Sequence, residues 1–71
     1  SINYKELHKR LIALIDLLPR QCKKVFTLSK IEGLANKEIS SELNISERAV
    51  EYHITKAYFF VRQNLKEYCH Q

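Results

Sequence analysis

The 71-residue sequence has little glycine, proline or cysteine: one Gly, one Pro and two Cys, with neither Trp nor Met. Hydrophobic residues make up 45% of the chain and charged residues 28%. This balance favours a compact helical fold over disorder. Because so short a chain buries little surface, we do not expect a large enclosed active site.

The cysteines and serines give no sign of a metal site or of catalysis. Cys22 and Cys69 lack a CxxC spacing, and with no secretory signal they are interpreted as reduced thiols rather than a disulfide. The adjacent Cys69 and His70 lack further spaced ligands, so neither zinc nor any other cofactor is expected. The serines have no convincing base beside them, and we therefore predict a protein that is not an enzyme.

Long hydrophobic runs are also missing. The longest apolar stretch near the start, residues 11–18, is interrupted by Asp16 and is far shorter than the ~20 residues that cross a bilayer. The sequence therefore predicts no membrane insertion and a cytoplasmic location. Because the chain opens with Ser1 rather than Met, we interpret residues 1–71 as one domain of a longer protein.

The charge is positive and clustered. The formal net charge is +4 and the pI about 9.2, which is compatible with an anionic partner such as nucleic acid. Residues 20–35 carry a surplus of three positive charges, whereas residues 36–45 carry more acidic than basic residues.

Apolar spacing predicts four helices and an all-α fold. The first helix carries leucines at three- and four-residue spacing up to Leu18. Pro19 is predicted in the first turn of the second helix, and Gly33 in a left-handed conformation at its end. Asn36 is the predicted N-cap of a short third helix. A long final helix follows Ser46, with one apolar stripe formed by Val50, Ile54, Ala57, Val61 and Leu65.

Residues 36–57 have the spacing of a helix-turn-helix: a short helix, a turn of about three residues and a longer capped helix. Asn44 is predicted to take a positive φ in the turn. In such a motif the second helix enters a major groove ~12 Å wide while the first lies across the DNA backbone.

The residues of the final helix that lie opposite the apolar stripe form a polar and aromatic face. Arg48 can contact guanine with two hydrogen bonds, and Glu51 can accept one from a cytosine amino group. Tyr52 and Thr55 can contact base edges, thymine methyl groups or phosphates. Lys37, Ser46 and Lys56 are expected to contact phosphates.

From Leu18 to about Tyr68 the chain resembles region 4 of extracytoplasmic-function sigma factors. The resemblance is carried by the LP opening followed by Cys22, by "EGL" and "KEIS" within residues 32–40, and by "AVEYHITKA" at residues 49–57. It implies a four-helix domain that reads the promoter element about 35 base pairs upstream of the start site while docking on the beta-flap of RNA polymerase. The base-reading positions it implies are Arg48, Glu51, Tyr52 and Thr55, and its backbone-contacting positions are Asn36, Lys37, Ser46 and Lys56.

Two other functions remain open at this point. "NKEIS" at residues 36–40 and "VEYH" at residues 50–53 also resemble the helix-turn-helix of LuxR-type regulators, which bind a two-fold DNA site as dimers. A protein-interaction module, such as a domain sequestered by an anti-sigma factor, would use the exposed aromatic residues as its contact surface.

Overall fold

A computed structural model describes the backbone of residues 3–69 and the side chains of residues 3–65, and four α-helices lie in this part of the chain. They are α1 (Tyr4–Asp16), α2 (Arg20–Phe26), α3 (Asn36–Leu43) and α4 (Glu47–Cys69). A π-helical turn, Thr27–Ile31, continues α2. The predicted all-α fold with a long final helix is confirmed.

The junction of α1 and α2 lies around Pro19. This residue is the N-cap of α2, with an extended ψ of 150°, and Arg20 is the first helical residue. Our prediction of Pro19 within the first turn was therefore wrong by one position, since the fixed φ of proline suits the N-cap as well. The Asp16 carboxylate accepts a hydrogen bond from the Lys23 ammonium, which links the two helices and holds the pKa of Asp16 below its usual range.

The π-helical turn was not predicted from the sequence. In it the amide of Glu32 donates to the carbonyl of Thr27 (3.0 Å), five residues earlier, which is the bond that defines a π-helix. Gly33 follows with a φ of 75°, so its predicted left-handed conformation is confirmed. The amide of Leu34 then donates back to the carbonyl of Leu28 (2.9 Å), which closes the helix end.

The start of α3 differs from the prediction. The N-cap is Ala35, and Asn36 is the first helical residue. The Glu38 side chain accepts a hydrogen bond from the amide of Ala35 (2.8 Å), which forms one half of a capping box. Ala35 has no side-chain acceptor, so the other half cannot form. The predicted N-cap at Asn36 is therefore wrong by one residue.

Two apolar clusters form the core, and both α2 and α4 contribute to each. One cluster joins α1, α2 and the middle of α4. The other joins α2, α3 and the start of α4. The buried members of the first are Ile15, Leu18, Cys22, Phe26, Ala57 and Val61, and those of the second are Val25, Ile39 and Val50. Three residues of the predicted α4 stripe are buried and the other two, Ile54 and Leu65, are half-buried and pack on these clusters.

Cys22 is a buried free thiol that donates a hydrogen bond through Sγ to the carbonyl of His53 on α4 (3.1 Å). Burial raises its pKa, although the charge of Lys56 acts in the opposite direction. The predictions about the Cys69 side chain and His70 lie outside the described residues. Within residues 3–69 no helix has both the length and the apolar character needed to cross a membrane.

Candidate nucleic-acid interface

The turn between α3 and α4 takes its shape from Asn44. This residue ends α3 in the left-handed region, with φ 56° and ψ 47°, as predicted. Asn tolerates this conformation better than other non-glycine residues. Two hydrogen bonds fix the turn: the amide of Ile45 donates to the carbonyl of Ser40 (3.1 Å), and the Ser40 hydroxyl donates to the carbonyl of Ile45 (2.5 Å).

Packing beneath the turn holds α3 and α4 in a fixed relation. Val25 of α2, Ile39 of α3 and Val50 of α4 are completely buried against one another. Leu43 and Ile45 pack on this cluster from the end of α3 and from the turn. The opposite face of α4 is therefore presented to solvent on a rigid support.

The N-terminus of α4 is capped by Ser46. Its Oγ accepts a hydrogen bond from the amide of Ala49 (3.0 Å), so the predicted cap is confirmed. The Ser46 side chain is exposed, and its hydroxyl hydrogen is not used by the cap. The amides of Glu47 and Arg48 belong to the first turn of α4, where N–H groups have no partner within the helix and can face an anion.

The four residues predicted to read bases all lie on the exposed side of α4, and we call them the recognition face: Arg48, Glu51, Tyr52 and Thr55. Arg48, Tyr52 and Thr55 are spaced by four and three residues and so share the centre of the face, with Glu51 at one flank. Tyr52 remains 57% exposed, which is unusual for a large aromatic side chain. Phe59, two turns further along the same side, is 62% exposed.

Lys56 extends this face and contacts Tyr52. Its Nζ lies 5.5 Å from the centroid of the Tyr52 ring, within cation–π range. The ring of His53 meets the same tyrosine at 5.5 Å between centroids and an angle of 67°. The ammonium group that is predicted to contact a phosphate thus also lies over an aromatic ring.

The other residues predicted to contact the DNA backbone lie near the two helix starts. Lys37 is exposed in the first turn of α3, and Asn36 beside it is half-buried. Ser46 and Lys56 are exposed on the α4 side. The structure thus places this set at the start of α3, at the N-cap of α4 and in the middle of α4.

The helix-turn-helix itself is not basic. Residues 36–57 contain three basic residues against four glutamates, and the positive charge of the chain lies mainly before residue 36. Affinity for a polyanion through this segment alone is therefore expected to be weak.

An open apolar groove of about 730 Å³ was missed by the sequence reasoning. It lies where α1, α2 and the second half of α4 meet, and Leu11, Phe26, Tyr58 and Leu65 line it. Arg62 lies at the same groove. Tyr58 is 56% exposed. A large aromatic residue next to Ala57 of the apolar stripe is the signal in the sequence that could have indicated this surface.

In the described part of the chain, no three His, Cys, Asp or Glu residues lie close enough together to hold a metal ion.

A search of curated proteins and a search of solved structures found no significant match. The model of the family described as sigma-70, region 4, matches residues 8–58, which include α3, the turn, the first half of α4 and the whole recognition face. The chain therefore belongs to the sigma-70 region 4 family, a DNA-binding part of bacterial sigma factors.

Proposed function

We propose that this domain belongs to an extracytoplasmic-function sigma factor and binds the promoter element about 35 base pairs upstream of the transcription start. The observation that supports this proposal best is the recognition face: Arg48, Tyr52 and Thr55 are exposed on a capped helix whose other side is buried. An α-helix presented in this way fits the major groove of B-DNA, which is ~12 Å wide. The site of action would be the cytoplasm.

Three residues of the recognition face, Arg48, Glu51 and Thr55, have distinct chemical roles in the proposal. Arg48 offers two parallel donors to O6 and N7 of a guanine. Glu51, at the flank, accepts a hydrogen bond from a cytosine amino group. Its negative charge also disfavours a phosphate at that position. Thr55 offers a methyl group and a hydroxyl one turn further along the helix.

Contacts to the sugar-phosphate backbone come from the two helix starts. Lys37 and Asn36 lie at the start of α3, and Ser46 can donate its hydroxyl hydrogen to a phosphate while its oxygen caps α4. Lys56 supplies a further positive charge. Because the segment carries more glutamates than basic residues, the complex with DNA alone should be weak, and tethering to RNA polymerase would raise the effective concentration.

The apolar groove at Leu11, Phe26 and Tyr58 supports docking on the polymerase, with the beta-flap as the proposed occupant. The groove is lined by the second half of α4, including Phe59, whereas the recognition face lies in the first half of this helix. In the proposal the polymerase and DNA therefore contact different stretches of α4. An anti-sigma factor that covers either surface would compete with the corresponding partner. Resonance shifts of labelled protein titrated with beta-flap, confined to α1, α2 and the groove side of α4, would support this part of the proposal.

The DNA-binding proposal is tested by fluorescence anisotropy with a promoter duplex at low salt. Arg48→Ala should weaken binding by about 1–3 kcal/mol and relax the preference at one base pair. Arg62→Ala is the matched control, since this arginine is also exposed on α4 but lies beside the groove, and it should leave DNA affinity nearly unchanged. Equal affinities for all three proteins would contradict the proposal. Binding only as a dimer to a palindromic duplex would favour a LuxR-type regulator instead.

A further inference from the structure

Three exposed side chains form one row along the outer side of α4. Arg48, Tyr52 and Lys56 are spaced by four residues each, and all three are exposed. Because side chains on a helix lean toward its N-terminus, Lys56 reaches back over the Tyr52 ring, and Tyr52 leans toward Arg48. The row is therefore cationic at each end and aromatic in the middle.

The Tyr52 ring is held in place by its own helix. The Lys56 ammonium lies 5.5 Å from the ring centroid, and the His53 ring meets Tyr52 at 67°. An aromatic side chain ordered before binding loses less conformational entropy when a ligand covers it. Tyr52 is 57% exposed. Its ring is thus an apolar surface that is ordered before DNA binds, and it lies between the cationic side chains of Arg48 and Lys56.

We propose that Tyr52 recognises the 5-methyl group of a thymine and that Lys56 is the residue that positions it; this inference rests on the DNA-binding function proposed above. Among the four DNA bases only thymine presents a methyl group in the major groove. An aromatic ring gains from covering that methyl group, whereas it would leave the hydrogen-bonding edges of the other bases without partners.

The spacing of the row also fixes where the thymine lies. Four residues of α-helix advance about 6 Å along the axis. Successive base pairs are about 3.4 Å apart. The thymine is therefore one or two base pairs from the guanine that Arg48 contacts.

Thr55 offers a competing explanation, because its own methyl group can contact thymine. The two are separable by substitution. Thr55→Ser removes the threonine methyl group and keeps the hydroxyl, whereas Tyr52→Ala removes the ring. Tyr58→Ala is the control for losing a tyrosine, since Tyr58 is 56% exposed on the same helix but lies in the groove.

The test begins by selecting a preferred duplex from a randomised library with the 71-residue chain at low salt. Each thymine of that duplex is then replaced in turn by deoxyuridine, which lacks the methyl group. At one thymine the replacement should weaken binding about fourfold, because burying one methyl-sized apolar group strengthens binding by about this factor. Tyr52→Ala should abolish this difference, while Thr55→Ser and Tyr58→Ala should keep it.

The role of Lys56 is read from the same thymine-to-deoxyuridine ratio. Lys56→Met keeps a side chain of similar length without the charge, and it should bring the ratio close to one. Lys56→Arg keeps a cation over the ring and should preserve the ratio. A residue that contacts only a phosphate would change the overall affinity and its salt dependence without changing this ratio.

The outcomes separate this inference from the function on which it rests. If the wild-type chain binds a selected duplex in an Arg48-dependent way but every deoxyuridine replacement is silent, the thymine inference is wrong and the DNA-binding function stands. The inference is also wrong if Thr55→Ser, and not Tyr52→Ala, removes the discrimination. If no duplex is selected at all, the proposed function fails and this inference fails with it.

Discussion

The hydroxyl of Ser40 lies 2.5 Å from the carbonyl oxygen of Ile45 and ties α3 to the residue that follows the left-handed Asn44. This bond spans the turn of the helix-turn-helix, and the amide of Ile45 returns a second bond to the carbonyl of Ser40. The relation of the two helices therefore depends on a side chain as well as on the apolar cluster beneath it.

Replacing this hydroxyl should destabilise the domain. Ser40→Ala leaves the half-buried carbonyl of Ile45 without its donor, and we expect a loss of about 1 kcal/mol in the free energy of unfolding. For a domain of this size that corresponds to a fall of about 4–8 °C in Tm. Ser41→Ala is the control, because Ser41 is exposed on the same helix and makes no such bond. Thermal unfolding that is the same for both variants would show that the bond does not stabilise the turn.

Completing the capping box of α3 should stabilise the protein. Ala35 is the N-cap, and the Glu38 carboxylate already accepts a bond from its amide. Ala35→Ser adds the missing acceptor for the amide of Glu38, so we expect a gain of about 1 kcal/mol. The matched variant Ala13→Ser, at an exposed position within α1, should cost a few tenths of a kcal/mol from lower helix propensity. Urea denaturation of the two variants checks the prediction, and a loss of stability in both would contradict it.

The ion pair between Asp16 and Lys23 should have a visible pH dependence. The hydrogen bond and the charge of Lys23 lower the pKa of Asp16 in the folded state. Its contribution to stability is therefore present above the pKa of the unfolded chain and is lost as the pH falls through the lower folded pKa. In an NMR pH titration the Asp16 carboxyl carbon should titrate below the usual range in the wild type and return toward that range in Lys23→Met. Lys24→Met should leave the midpoint unchanged, and an unchanged midpoint in Lys23→Met would contradict the assignment.

Much of the fold could be predicted because its signals are local. The left-handed conformations of Gly33 and Asn44, the cap at Ser46 and the α4 stripe each follow from residue type or short-range spacing. The exposure of the recognition face follows from the stripe, since residues opposite a buried stripe face solvent.

The features that were missed depend on competition or on packing. Asn36 has the side chain of a good N-cap, but Glu38 binds the amide of Ala35 and sets the helix start one residue earlier. The π-helical turn after Phe26 is not indicated by the residue types in this segment. The groove beside Tyr58 depends on how α1, α2 and α4 cross, which periodicity within one helix does not determine.

The central claim is that the outer side of α4 contacts promoter DNA. Its most direct test is an NMR titration of isotope-labelled protein with a duplex bearing the upstream promoter element at low salt. We expect the largest amide shifts at residues 46–56 and at the start of α3, with the shifts reduced in Arg48→Ala and retained in Arg62→Ala. Shifts confined to the basic segment before residue 36, or no shifts at saturating duplex, would contradict the claim.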